Sequence, residues 1–321
     1  MFRYLLRRFL WAGVLFLVVT CVTFVIFFLI PVDPARQACG QRATLTCITL
    51  ARHTLGLDRP LPVQYGRFLW NLVGHQSLGT SFVTRQPVNR TVLNAAPVTA
   101  SVVFGGMLVM MLIAFPIGII SGLRPRSGLD RAGMTFAVAG VSLPSFWVGL
   151  VLAYAVGFKL GWTPITGYCD FINPSTDCGG PVQWANHLIL PWVTFGLLSG
   201  ALYVRIIRAN IIETMSEDYV RTARAKGAPE RRVVAGHVLR NSLLPVITIF
   251  GLDLGLALGG AVFLENVFSL PGLGQTALDS LSSFDLPVTM GVVIFGTLAI
   301  IVFNLVVDLL YAVVDPRIRL A

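Results

Sequence analysis

The chain has 321 residues, 55% of them hydrophobic and only 12% charged, with a mean hydropathy of +0.77. A soluble domain of this length carries roughly 25% charged residues, so most of this chain is kept from water. The net charge is +9, but the arginines stand at the ends of apolar blocks and not on one polar face, which argues against nucleic-acid binding.

The N-terminus reads MFRYLLRRFL and enters an apolar run over 9–30. The apolar region of a signal peptide has roughly 7–15 residues before a small-residue cleavage site. This run is longer and lacks such a site, so it is expected to be a retained first span. Further apolar blocks follow at 98–122, 132–158, 188–207, 243–263 and 288–314. Each is long enough to cross about 30 Å of hydrocarbon as a helix. The expectation is an all-α polytopic membrane protein with about six transmembrane helices. It divides into an N-terminal helix over 1–30, a long external loop region over 31–97, and a transmembrane core over 98–321 that includes a cytoplasmic loop at 210–240. Pro116 and Pro144 are expected to kink the second and third spans. Gly118 and Gly122 form a small-xxx-small packing pair beside Pro116.

Arginines in short loops orient the chain. Arg3, Arg7 and Arg8 precede the first span, and Arg124, Arg126 and Arg131 lie between the second and third. Arg208, Arg221, Arg224, Lys226, Arg231, Arg232 and Arg240 lie between the fourth and fifth, and Arg317 and Arg319 follow the sixth. With six alternating crossings all of these fall on one side, so both termini are expected in the cytoplasm. Cys39 and Cys47 then share the first external loop, and Cys169 and Cys178 share the second. Two close pairs on the oxidising side suggest the disulfides Cys39–Cys47 and Cys169–Cys178, with free thiols as the alternative. Each closed loop contributes about 2.5 kcal/mol in the chain-entropy account.

The stretch SEDYVRTARAKGAPERRVVAGHVLRNSLLP, residues 216–245, is too polar to span and too patterned to be a plain loop. Glu217 and Asp218 suit a helix start, and Thr214 and Glu217 have capping-box spacing. Tyr219, Val220 and Ala223 are placed on one face. Gly227 can close the helix in the left-handed conformation, and Pro229 with Glu230 can open the next one. The unit is a short helix, a sharp corner and a second helix. It either docks into a partner's groove, with its basic rim meeting acidic groups, or lies on anionic lipid.

These residues resemble the EAA loop of permease subunits in bacterial ABC importers, whose form is E-A-A, three residues, then Gly. Aligned on Gly227, the three leading positions are Arg221, Thr222 and Ala223, and only the last keeps the alanine. YVRTARAKG followed by HVLRNSLLP is the form typical of dipeptide and oligopeptide permeases. LGLDRPLPVQYGRFLWNL, LGTSF, SLPSFWVGL, GGAVFLENVFSLPGLG and VDLLYAVVDPRIRL resemble, in order, the B-type subunit of peptide permeases. The cysteine-containing insertions depart from that pattern.

The resemblance implies the type I importer architecture and a place in the bacterial inner membrane, in contact with lipid. It implies a second homologous permease subunit and an external peptide-binding protein. It also implies two ATPase subunits that carry ATP and Mg. The coupling segment would comprise Glu217, Asp218, Tyr219, Val220, Arg221, Thr222, Ala223, Arg224, Ala225, Lys226, Gly227, Ala228 and Pro229. Peptides are the implied cargo; haem, nickel complexes or glutathione are alternatives on the same architecture.

Single residues add less. Asp253, mid-span, is costly in lipid and must face protein or water. It either lines the translocation path or pairs with a neighbouring helix. Gly251, Gly255 and Gly259 form a packing stripe on the other face. Glu265 is placed at an external gate or a binding-protein contact, with a structural turn as the alternative. Asp308 reads as an interfacial carboxylate. Asn89-Arg90-Thr91 is a chance sequon match, given the implied bacterial source. His53, His75, His187 and His237 are far apart and lack metal-ligand spacing, so no metal site is expected. The only lysines, Lys159 and Lys226, do not follow a glycine, so no P-loop is present and the chain is not itself a P-loop ATPase. No GxSxG nucleophile motif occurs. A self-sufficient secondary transporter is the distant alternative, but it would need a coupling-ion site and often shows internal repeats, and no repeat is visible.

Overall fold

The computed structural model describes residues 2–29, 34–40, 44–55, 57–172, 178–258 and 261–314. Gly259, Arg317 and Arg319 lie outside the described residues, as does the side chain of Asp308. Among the described residues the chain is helical, without strands. Helix α1 (Phe2–Leu29) is the first apolar block. Helices α2 (Pro34–Cys39), α3 (Leu45–Leu55) and α4 (Leu61–Gly74) occupy the region read as an external loop. Helix α5 (Val88–Leu123) carries the second block, starting well before residue 98 and running unbroken through Pro116. The third block is α6 (Gly128–Ser142) and α7 (Ser145–Leu152), which continues as a π-helix over Ala153–Lys159. The fourth is α8 (Pro181–Ser216).

Then come α9 (Asp218–Ala225), α10 (Glu230–Val233), a π-helical turn Val234–Leu239, and α11 (Arg240–Ser242). Helix α12 (Leu244–Leu258) is the fifth block. Helices α13 (Val262–Val267) and α14 (Leu273–Ser282) lead to the last, α15 (Leu286–Val314).

Five stretches are long and apolar enough to cross a bilayer, or six when α6 with α7 counts as one crossing. That third span corrects the expectation of a kinked but continuous helix over 132–158. It breaks before Pro144 and turns through 105°. Proline lacks an amide hydrogen and drives the residue before it into extended backbone. Leu143 accordingly has φ −91° and ψ 132°, and α7 restarts after Pro144.

The chain packs as two compact units, one from Met1–Thr99, Leu258–Val262 and Pro271–Ala321, the other from Ala100–Ala257 and Phe263–Leu270. In the first, Val88, Val92 and Ala95 of α5 pack with Leu273, Val288 and Val292. Thr20 of α1 shares a 2.9 Å hydrogen bond with the Tyr65 hydroxyl of α4. The buried Asp285, between α14 and α15, gathers the 81–83 turn. It accepts from the Ser81 hydroxyl and from the amides of Phe82 at 3.1 Å and Val83 at 3.4 Å. Asn89 is spent on the same region: its Oδ1 accepts from the Leu78 amide and its Nδ2 donates to the Gln76 carbonyl.

In the second unit α5 and α8 lie in close contact. A Cβ at Gly118 would sit 2.8 Å from Ile207 Cβ, and one at Gly122 2.7 Å from Ile211 Cβ. The absent side chains are what let the two backbones approach. The core they enter includes Met110, Ala137, Tyr203, Ile207 and Ile211, and it extends to Val220, Val233 and Val238 beyond the end of α8.

Candidate functional site at the 217–233 corner

Helix α8 runs to Ser216, and Glu217 is extended (φ −68°, ψ 145°) before α9 begins. This corrects the capping box. Thr214 is still inside α8, so it cannot cap α9, and Glu217 stands at the N-cap without a side-chain capping bond. Asp218 occupies the first turn, where negative charge suits the helix dipole. Thr222 Oγ1 donates back to the Asp218 carbonyl at 2.8 Å.

The helix ends in two reverse-turn bonds. The Ala228 amide donates to the Ala223 carbonyl at 3.3 Å, and the Gly227 amide to the Arg224 carbonyl at 2.9 Å. This is the Schellman pattern, with Gly227 at the left-handed position. Its φ is +77°, a region that penalises any Cβ. Pro229 is then the N-cap of α10. Across the corner Arg224 Nη2 meets Glu230 Oε1 at 2.7 Å and Nε meets Oε2 at 3.1 Å, a bidentate pair. The bonded Glu230 carboxylate raises the Arg224 guanidinium further above its ordinary value.

The corner has two unlike faces. Underneath, Val220, Val233 and Val238 are fully buried, and Ala223 and Ala228 pack against the same core. Outside, Arg221, Thr222, Arg224, Ala225, Lys226, Gly227, Pro229, Arg231 and Arg232 are exposed. The expected shared face of Tyr219, Val220 and Ala223 is split, because Tyr219 is 41% exposed while Val220 is buried. Successive helical positions differ by about 100°, so the two neighbours cannot point the same way. The Tyr219 hydroxyl accepts from Asn241 Nδ2 at 3.0 Å, at the rim of an open crevice that Glu213 and Glu217 also line.

The stem of the corner is braced. On α8, Arg208 grips Asp130 of α6 through Nε at 2.5 Å and Nη2 at 2.9 Å. Asp130 also accepts from the Arg126 amide at 2.7 Å, and its own amide donates to Ser127 Oγ at 3.1 Å. In the sequence these arginines mark topology alone, and the S-x-x-D spacing at Ser127 is the signal for a capped turn here.

Asp253 of α12 is half-buried and accepts from the Tyr203 hydroxyl of α8 at 2.7 Å, the pairing held open as the alternative to path lining. Glu265, placed at the gate or at a binding-protein contact, is fully buried in α13. In this conformation its side chain offers no surface for a direct contact. Cys39 is joined to Cys47 and Cys169 to Cys178. The histidines are dispersed in the sequence, yet His187 lies against the second bridge, with Cys169 Sγ 3.2 Å from its Nδ1.

Known proteins match along the whole chain. Residues 114–320 match the family described as the inner membrane component of binding-protein-dependent transport systems, and residues 1–103 match its N-terminal membrane-component family. A glutathione transport system permease protein of Pectobacterium atrosepticum is 38% identical, covering 99% of both chains. A putative peptide transport system permease protein of Brucella abortus is 37% identical over 98% of both. With five or six helical stretches able to cross a bilayer and matches over its length, the chain belongs to this family as a permease subunit of an ABC importer of the inner membrane.

Proposed function

We propose that this chain takes up short peptides as one half of a two-permease pathway, and that the 217–233 corner transmits motion from an ATPase. The second half is a homologous permease subunit. Two ATPase subunits carrying ATP and Mg supply the energy, and an external binding protein delivers cargo. Both termini and the corner face the cytoplasm, with the α6–α7 pair as one crossing. The observation that carries the coupling role is the division of the corner: valines buried in the helix core beneath it, and an exposed basic rim around the Gly227 turn. A rigid underside conveys displacement to α5, α6 and α8, while the free face remains for a partner with acidic groups. ATP shifts the transporter only as far as it favours one state over the other.

The cargo reading rests on relatives named for peptides and for glutathione, itself a tripeptide. Asp253 is proposed to present its carboxylate to the path, where it would favour a cationic amino terminus, with Tyr203 holding its orientation. The test is reconstitution in liposomes with the second permease, the ATPases and the binding protein, offered labelled dipeptides and glutathione. Uptake is expected only with all components and ATP. Gradient-driven uptake by this chain alone would overturn the reading.

A further inference from the structure

The bridge Cys169–Cys178 differs from Cys39–Cys47 in one respect. Among the described residues, Cys169, Cys178 and His187 form the only group of three or more potential ligands whose donor atoms lie within 4.8 Å of one another. The spacing is Cys-x8-Cys-x8-His, and the fold closes it by setting His187, in the second turn of α8, against the two cysteines. Cys169 is buried, while Cys178 and His187 are half-buried.

The imidazole lies against the bridge, with both ring nitrogens near Cys169 Sγ. Its Nδ1 lies 2.9 Å from the Gln183 carbonyl. A carbonyl only accepts, so in the tautomer that makes this bond Nδ1, which also lies 3.2 Å from Cys169 Sγ, carries the proton and Nε2 keeps the lone pair. A ring N–H held by a backbone carbonyl is the usual outer support of a metal-bound histidine. Nε2 lies 3.7 Å from Cys169 Sγ. Two ligands on a tetrahedral zinc, one sulfur and one nitrogen, are separated by about 3.6 Å from the standard bond lengths.

We propose that Cys169, Cys178 and His187 form a redox-gated site for a thiophilic d10 cation, closed as a disulfide when oxidised and open to the metal when reduced. An external dithiol supplies the reduction. The Cys169–Cys178 bond breaks, the two sulfurs take up two electrons and two protons, and the dithiol closes to its own disulfide. Zn2+ then displaces the thiol protons and binds two thiolates and His187 Nε2. A fourth position is left for water or another donor. Thiolate donors select soft ions over Mg2+ or Ca2+. The site is independent of the transport reading.

The test uses the full chain in detergent with Cys21, Cys39 and Cys47 replaced by Ser, so that only the trio's thiols remain. After phosphine reduction and anaerobic desalting, Zn2+ is titrated against a chromophoric chelator, and Co2+ is added in parallel. One equivalent of Zn2+ is expected, with the thiolate charge-transfer and tetrahedral bands of Co2+. The oxidised chain should take up none. Cys169→Ser and Cys178→Ser should each lose the Co2+ thiolate bands or halve them, and His187→Gln should weaken Zn2+ at least ten-fold. Each variant is kept only if it runs as one species on size exclusion. Equal binding by oxidised and reduced chains, octahedral Co2+ without thiolate bands, or unchanged affinity in His187→Gln would overturn the proposal.

Discussion

Two corners of the molecule spend their polar groups in opposite directions. At the 81–83 turn everything points inward. Asp285 is buried and takes the Ser81 hydroxyl and two backbone amides, while both ends of the Asn89 amide are bonded close by. At the 217–233 corner the inward face is apolar, and the charges stand outside around a glycine turn. A buried polar group must find its partners within the fold, so the first corner is a finished structural joint. The second keeps its charges on the exposed surface, with Arg224 paired to Glu230 and Lys226, Arg231 and Arg232 exposed beside it. Burial alone would have ranked the Asp285 corner as the more site-like of the two; the destination of the hydrogen bonds ranks them the other way.

The comparison breaks most readily at Asp285. Asp285→Ala leaves a hydroxyl and two amides without their acceptor, and stability is expected to fall by about 3 kcal/mol. Thermal unfolding of the full chain in detergent should show this, with Asp285→Asn recovering part of the loss. A midpoint equal to that of the unaltered chain would mean the joint is not closed on itself. The effect of Arg224→Ala should be much smaller. Both Arg224 and its partner Glu230 are exposed, and such pairs contribute little in water. The unfolding midpoint is expected to stay unchanged, while peptide-stimulated ATP hydrolysis by the assembled importer drops several-fold. A clear loss of stability with coupling intact would reverse the roles assigned to the two corners.

Much of this was legible in the sequence, for identifiable reasons. Blocks of twenty or more apolar residues disclose spans because bilayer thickness imposes their length. The Gly227 turn was legible because a left-handed cap excludes most side chains and is followed here by Pro229. Pro144 was legible as a disturbance, but not as a 105° turn, because the angle depends on what the two halves pack against. The capping box was misread because α8 keeps its helical bonds as far as Ser216, beyond the end of the apolar block. Asp285 and His187 gave no local cue: one is read by residues some two hundred positions earlier, and the other meets its cysteines only when α8 is in place.

The central claim is that the basic face of the corner meets an ATPase, and the direct measurement is site-specific crosslinking. The photoreactive residue p-benzoylphenylalanine, placed at the exposed Lys226, is irradiated in the assembled importer in nanodiscs, with and without ATP. The account predicts a crosslink to the ATPase subunit whose yield changes with ATP, and no such product from the same residue placed at Arg85 near the 81–83 turn. Crosslinks from Lys226 to lipid alone, unaffected by the presence of the ATPase, would contradict it.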